Sequence, residues 1–192
     1  MSNFWKNLLS SRHGFSQYVG IDLGTTMTSV YVQGKGIVIK EPSVVAVNTK
    51  TGQILAIGHE AEAMLGKTPQ HIGAIKPIVN GVISDFEITE KLLRYIFQKI
   101  GDSNSWLGGP LVIVGINSEG TEVERKAVED VVHNAGAKEV YLIEKALATA
   151  ISNGLILSEA KGNLIVDIGG GLTEVNIVSL GGIVVTRNIK IG

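Results

Sequence analysis

A turn motif that occurs twice constrains this chain most: Asp22-Leu23-Gly24-Thr25-Thr26 returns as Asp167-Ile168-Gly169-Gly170-Gly171, 145 positions later counted from Asp22 to Asp167. Each copy opens with an apolar run, Tyr18-Val19-Gly20-Ile21 and Leu164-Ile165-Val166, that reads as a strand delivering an Asp to its end before the chain turns through glycine. A second strand follows at once, Thr28 to Val32 in one copy and Thr173 to Val178 in the other, and Thr28/Thr173, Val30/Val175 and Val32/Ile177 match at the same offset. With one residue inserted, Gly36-Ile37-Val38 then pairs with Gly182-Ile183-Val184. A period this long is too large for a solenoid and predicts two similar lobes.

The chemistry such turns offer is phosphate binding. Glycines let backbone N–H groups approach an anion closely, and the hydroxyls of Thr25 and Thr26 add donors. Asp22 and Asp167 would repel a phosphate directly, but a Mg²⁺ that keeps several of its waters between carboxylate and phosphate reverses the sign of that interaction. Two facing hairpins would hold a metal-bound polyphosphate between lobes. Taken singly, either turn is also what any β-hairpin uses to close; the pairing of Asp with Gly in both copies favours the phosphate.

Length and composition narrow the classes. With 192 residues, 44% of them hydrophobic, and 24 glycines, the chain can build one good core or two small domains and is not disordered. Its 17 basic and 18 acidic residues nearly cancel without forming a block, so nucleic acid is not an expected partner. The absence of Cys excludes disulfides, thiolate metal sites and Cys nucleophiles, and fits a cytoplasmic protein. His13, His59, His71 and His133 are scattered without metal-ligand spacing. No apolar run approaches the roughly 18 residues of a membrane span, and the N-terminus lacks a secretory apolar core.

Phe4, Trp5, Leu8 and Leu9 recur at helical spacing near Lys6 and Arg12, which is open to two readings: an amphipathic anchor at a membrane surface, or a tail that frays or staples onto the core. Strands are expected through Val47 and again at Ile54 to Ile57, with a short helix from His59 to Leu65. Thr89 is placed to cap a helix that turns Leu92, Leu93, Ile96 and Ile100 inward and stops at Gly101. Leu111 to Ile116 reads as a strand buried on both faces. Thr121 and Glu124 form a capping box before an apolar stripe of Val123, Ala127, Val128, Val131 and Val132. A strand at Val140 to Ile143 and a helix at Ala146 to Ser152 complete a pattern of parallel crossovers attached to the opening hairpins.

Taken together, these residues resemble the actin and sugar-kinase superfamily and, within it, the bacterial actin-like MreB family of cell-shape proteins. The resemblance is carried by Gly20 to Thr25, Glu41-Pro42-Ser43-Val44-Val45-Ala46, Gly58-His59-Glu60-Ala61, Gly81 to Phe86, Thr121 to Arg125, Glu139 to Glu144 and Asp167 to Gly171. It implies an α/β fold with an actin-like (ribonuclease H-like) first lobe made of residues 17–40 and 80–156, a small β-rich subdomain at 41–79, and a second lobe begun at 157–192, behind an amphipathic segment at 1–16. It also implies an ATP-binding, Mg²⁺-dependent subunit of membrane-associated filaments that guide cell-wall synthesis and maintain rod shape, held at the inner face of the cell membrane. By that likeness Gly24, Thr25, Thr26 and Met27 lie at the first phosphate loop, Gly169, Gly170 and Gly171 at the second, and Asp22 and Asp167 near the magnesium, while Phe4, Trp5, Leu8 and Leu9 form the membrane anchor.

The departures from the family pattern bear on chemistry. Family members usually carry Glu-Pro where this chain has Lys145-Ala146, and that Glu helps position the water that attacks the γ-phosphate. A protonated lysine has no acceptor with which to orient or deprotonate water. Glu144 is the available substitute, but adjacent residues point differently. Met27 stands for the usual Asn and Leu172 for the usual Thr, so each loop loses a polar side chain and keeps its backbone donors. The chain ends just past the second hairpin, so the expectation is a truncated second lobe with an unpaired edge and an uncovered apolar face. Three classes of function stay open: an MreB-like filament protein with impaired hydrolysis, an active ATPase or sugar kinase, and a non-catalytic module that joins a full-length paralogue.

Overall fold

In the computed structural model, which describes residues 17–67, 69–101, 109–155 and 158–192, the first apolar run becomes β1 (Tyr18–Leu23), followed by β2 (Met27–Val32) and β3 (Gly36–Pro42) as an antiparallel meander. Strands β4 (Val45–Asn48), β5 (Ile54–Ile57) and β6 (Ile72–Ile75) make a separate three-stranded sheet in the order β5-β4-β6, packed with the short helix α1 (His59–Glu62). Glu41 ties this sheet back to the rest, accepting from the His59 N–H at 3.2 Å and from Lys99 at 2.8 Å. The two-residue strands β7 (Ile78–Val79) and β8 (Val82–Ile83) form a hairpin through Asn80 and Gly81, both at positive φ (51° and 74°), the left-handed pair that a tight two-residue turn requires.

The helix α2 (Phe86–Ile100) buries Leu92, Leu93, Ile96 and Ile100, as their spacing predicts, and ends at Gly101. Its cap differs from the sequence expectation. Asp85, in an extended conformation, accepts from the Ile88 N–H at 3.0 Å, whereas Thr89 sits inside the first turn, fully buried, and donates its hydroxyl to the Asp85 carbonyl at 2.6 Å. An N-cap needs non-helical backbone, and Thr89 is already helical.

Strand β9 (Leu111–Ile116) pairs parallel to β1, and after α3 (Glu122–Asn134) the strand β10 (Glu139–Glu144) pairs parallel to β9. The resulting sheet, β10-β9-β1-β2-β3, joins three antiparallel strands to two parallel ones. That is the ribonuclease H-like arrangement expected of the first lobe. The capping box of α3 is present in both directions: Thr121 Oγ1 accepts from the Glu124 N–H (3.2 Å), and Glu124 Oε2 accepts from the Thr121 N–H (2.8 Å). Val131 and Val132 enter the core, but Val123, on the outward side of the first turn of α3, does not belong to the buried stripe and is 79% exposed.

Helix α4 (Lys145–Ser152) then crosses between two sheets. It packs on β9 and β10 on one side and, on the other, on β11 (Asn163–Ile168), β12 (Thr173–Ser179) and β13 (Gly182–Ile189), which form an antiparallel sheet in that order. Ala146 and Ala150 are buried against Ile165 and Val178, and side chains this small let the helix approach closely. The second sheet repeats the register of the first: Asp167 opposes Glu174 and Ile168 opposes Thr173, just as Asp22 opposes Ser29 and Leu23 opposes Thr28.

The repeat is not matched in burial. Val19, Ile21 and Leu23 on β1 are buried in the core built with α2 and α3, yet their counterparts Leu164, Val166 and Ile168 on β11 are 65%, 50% and 75% exposed. Among the described residues no helix covers this face and no strand pairs with the outer edge of β11, whereas β1 has β9 there.

The core assignment has a direct check. Leu92→Ala is expected to lower the unfolding free energy in urea by about 2–5 kcal/mol, from lost transfer energy and the cavity left behind. Val123→Ala should stay within about 0.5 kcal/mol of the parent, since its side chain touches little.

Candidate functional site

The two turns are built alike, bond for bond. The Gly24 N–H donates to the Met27 carbonyl at 3.1 Å, and the Gly169 N–H donates to the Leu172 carbonyl at 2.9 Å. A Cβ on Gly24 would stand 2.5 Å from the Met27 carbonyl oxygen, so only glycine closes the first turn without moving backbone. Ser43 braces that turn: its hydroxyl donates to the Gly24 carbonyl at 2.7 Å and bonds the buried Thr28 hydroxyl at 2.8 Å, while its N–H donates to the Thr26 carbonyl at 2.9 Å.

Across the cleft the turns touch. Thr26 Oγ1 donates to the Gly170 carbonyl at 3.2 Å, and any Cβ on Gly170 would collide with Thr26; one on Gly171 would come within 2.8 Å of Thr25 Cγ2. Thr25 Oγ1 accepts from the Gly81 N–H at 2.9 Å, which docks the tip of the β7–β8 hairpin on the first turn, and Asn117 Nδ2 donates to the Gly81 carbonyl at 2.9 Å. The Thr26 proton is thus committed to protein, whereas Thr25, an acceptor here, keeps its own proton for a ligand.

Together the turns line a solvent-open cleft that contains Asp22, Gly24, Thr25, Thr26 and Met27 on one side and Asp167, Gly169, Gly170, Gly171 and Leu172 on the other. Lys145 joins them and Glu144 does not. Lys145 Nζ lies 2.8 Å from Asp22 Oδ1, reaching it across Gly115, which stands beside Asp22 in the parallel register; a Cβ on Gly115 would be 3.2 Å from Lys145 Cγ. Glu144 is the last residue of β10 and accepts from Arg125 of α3 at 3.0 Å. The substitute considered from sequence is therefore held by another helix.

Three further residues line the cleft that sequence reasoning did not assign to it: Gly81, Asn117 and Glu174. Glu174 had a signal, because the repeat places it at the position of Ser29, where a small polar residue gives way to a carboxyl facing Asp167. It is 2% exposed and accepts from the Ser118 N–H at 2.9 Å. Burial pushes its carboxyl above the ordinary carboxylate value, and the Asp167 charge adds to this; the Ser118 N–H and the Lys145 ammonium act against it.

Asp22 Oδ1 already holds an ammonium, whose charge would oppose a second cation on that oxygen. The Asp167 side chain has no hydrogen-bond or ion-pair partner among the described residues, so it stays open to a Mg²⁺ that keeps its waters. Phe4, Trp5, Leu8 and Leu9 lie outside the described residues.

Comparisons with known proteins point one way. A family model described as MreB/Mbl protein matches residues 16–192. The cell shape-determining protein MreB of Escherichia coli K12 is 45% identical over 182 residues, 93% of this chain and 52% of the relative. The crystal structure of MreB5 of Spiroplasma citri bound to AMPPNP superposes with a TM-score of 0.83 at 40% identity, covering 91% of this chain and 52% of that one; the same protein bound to ADP gives the same TM-score at 39% identity. A MamK double helical filament shares the fold, with a TM-score of 0.73 at 18% identity over 91% of this chain and 54% of that chain. This chain spans about half the length of the curated relatives it matches.

The raised Glu174 value predicts the sign of one pH effect. A carboxyl that holds its proton more tightly when folded favours the native state at low pH, and that advantage is lost as pH rises through the raised value. Glu174→Gln, which keeps an acceptor for the Ser118 N–H, should raise the melting temperature over the parent at about pH 8, with the gain shrinking toward about pH 5. Thermal melts at the two pH values check it; an equal gain at both would leave the carboxyl's ionisation without a part in stability.

Proposed function

The chain belongs to the MreB/Mbl family, and from that premise we propose that it acts as a nucleotide-linked cytoskeletal protein of cell-shape determination, binding ATP between its two glycine turns and hydrolysing it slowly or not at all. The observation that carries nucleotide binding is the pair of glycine turns that repeat one hydrogen bond and meet across a cleft. The binding of AMPPNP and ADP by MreB5 of Spiroplasma citri supports ATP as the ligand class. Asp167 is the carboxylate through which a Mg²⁺ accompanying the nucleotide would be held, by way of retained water, since Asp22 carries the Lys145 ammonium.

Weak hydrolysis follows from Lys145. Phosphoryl transfer to water needs charge stabilisation and a group that orients or deprotonates the attacking water. The Lys145 ammonium can supply the first but not the second, and Glu144 is engaged by Arg125. Self-association into filaments, or assembly with a full-length paralogue, is supported by family membership and by the apolar face of Leu164, Val166 and Ile168. The exposed face also favours a second reading, in which the chain serves as a non-catalytic interaction module for such a partner. Further proposals are a peripheral cytoplasmic place at the inner membrane face, through Phe4, Trp5, Leu8 and Leu9, and work alongside the cell-wall synthesis machinery.

Calorimetry and phosphate release test the nucleotide proposal. The folded 192-residue chain should bind ATP in Mg²⁺ buffer, lose binding in Gly170→Val, and release phosphate at least about 100-fold more slowly than Escherichia coli MreB assayed alongside. No binding by a folded, monodisperse parent would leave the interaction module as the function, and release at the rate of the relative would remove the impairment. For the membrane, co-sedimentation with anionic phospholipid vesicles should fall by about tenfold or more in Trp5→Glu, because a carboxylate replaces the ring at the headgroup level; unchanged binding would place the anchor elsewhere.

A further inference from the structure

Lys145 is the single cationic side chain lining the cleft among the described residues, and it faces Asp22, Asp167 and Glu174 there. Its side chain is 19% exposed, so its course is set by packing: the stem leaves the first residue of α4, passes over Gly115 of β9, and sets Nζ at 2.8 Å from Asp22 Oδ1 on the neighbouring strand. Asp22 is its one hydrogen-bonded partner among the described residues. An ammonium carries three donors, and one bond to Asp22 leaves two for the cleft.

Resting on the nucleotide reading of the cleft, the geometry points to Lys145 as a resident cation that takes the place of a divalent metal at Asp22 and holds the terminal phosphates of a nucleoside triphosphate without one. A phosphate beside the first turn needs a positive charge between itself and Asp22. The ammonium already stands there, tethered and paid for by folding, and it competes with any metal for the same carboxylate oxygen. A bound phosphate oxygen would accept from the two remaining ammonium donors, from the Thr25 hydroxyl and from the turn backbone. Asp167 then acts in the opposite sense to a metal-bridged site: with no cation on it, its carboxylate repels the ligand.

ATP titrated calorimetrically into the full chain, in Mg²⁺ and in excess EDTA, decides this. The parent affinity should change by no more than about threefold between the two conditions, Lys145→Gln should weaken binding in EDTA by about tenfold or more, and Lys145→Glu should make binding metal-dependent by about tenfold. Gly115→Val, which crowds the lysine stem without altering charge, is expected to weaken EDTA binding in the same direction. Asp167→Asn should tighten EDTA binding rather than weaken it. Circular dichroism of each variant confirms the fold. A parent affinity that falls tenfold or more in EDTA overturns the resident cation while leaving the nucleotide site standing, and absence of binding in both conditions overturns the two together.

Discussion

The seating of α4 between the two sheets is the constraint on which the rest depends. Ala146 and Ala150, 1% and 0% exposed, let the helix lie close to the second sheet while it also packs on β9 and β10. A larger residue at either position would have to push the sheets apart in a close-packed interior. The same helix begins with Lys145, so the packing that sets the spacing of the two sheets also delivers the ammonium to the cleft. Turn-to-turn contact through Thr26 and Gly170 is a consequence: the two glycine turns can meet because α4 holds their sheets at that separation.

Charge in the cleft follows from this arrangement. Three carboxyls and one ammonium share a small volume, and each finds a different solution. Asp22 takes the lysine, Glu174 is buried with a backbone donor and holds its proton more tightly than an ordinary carboxyl, and Asp167 stays without a hydrogen-bonded partner among the described residues. Direct like-charge opposition of Asp167 and Glu174 across β11 and β12 would be destabilising if both were fully ionised, which is why burial and proximity move Glu174 upward together. In the first lobe the equivalent pair is Asp22 and Ser29, and no such conflict arises. The two halves of the cleft are thus similar in backbone and different in electrostatics.

Burial breaks the repeat in a second way. An identical register places Val19, Ile21 and Leu23 in the core of one sheet and Leu164, Val166 and Ile168 on the surface of the other, because only the first sheet has α2 and α3 laid over it. Apolar side chains on a pleated face define where a layer must go, and they do so whether or not the layer is among the described residues.

Much of the fold was legible in local pattern. Period-two runs mark the strands, helical spacing marks α2 and α3, the Thr121–Glu124 box marks a helix start, and the recurrence of Asp with Gly marks both turns. Such features are properties of a few neighbouring residues, so the sequence by itself determined them. The helix start at Asp85 rather than Thr89 shows the limit, since both residue types can cap and only backbone conformation selects between them. Everything that decides the chemistry came from tertiary structure. Thr26 gives its proton to a carbonyl 144 residues away, Glu174 is buried by a neighbouring loop, and Lys145 reaches Asp22 only because β9 lies parallel to β1 with Gly115 beside the carboxylate. Ionic partners and burial depend on which distant segments become neighbours, and no periodicity within either segment encodes that choice.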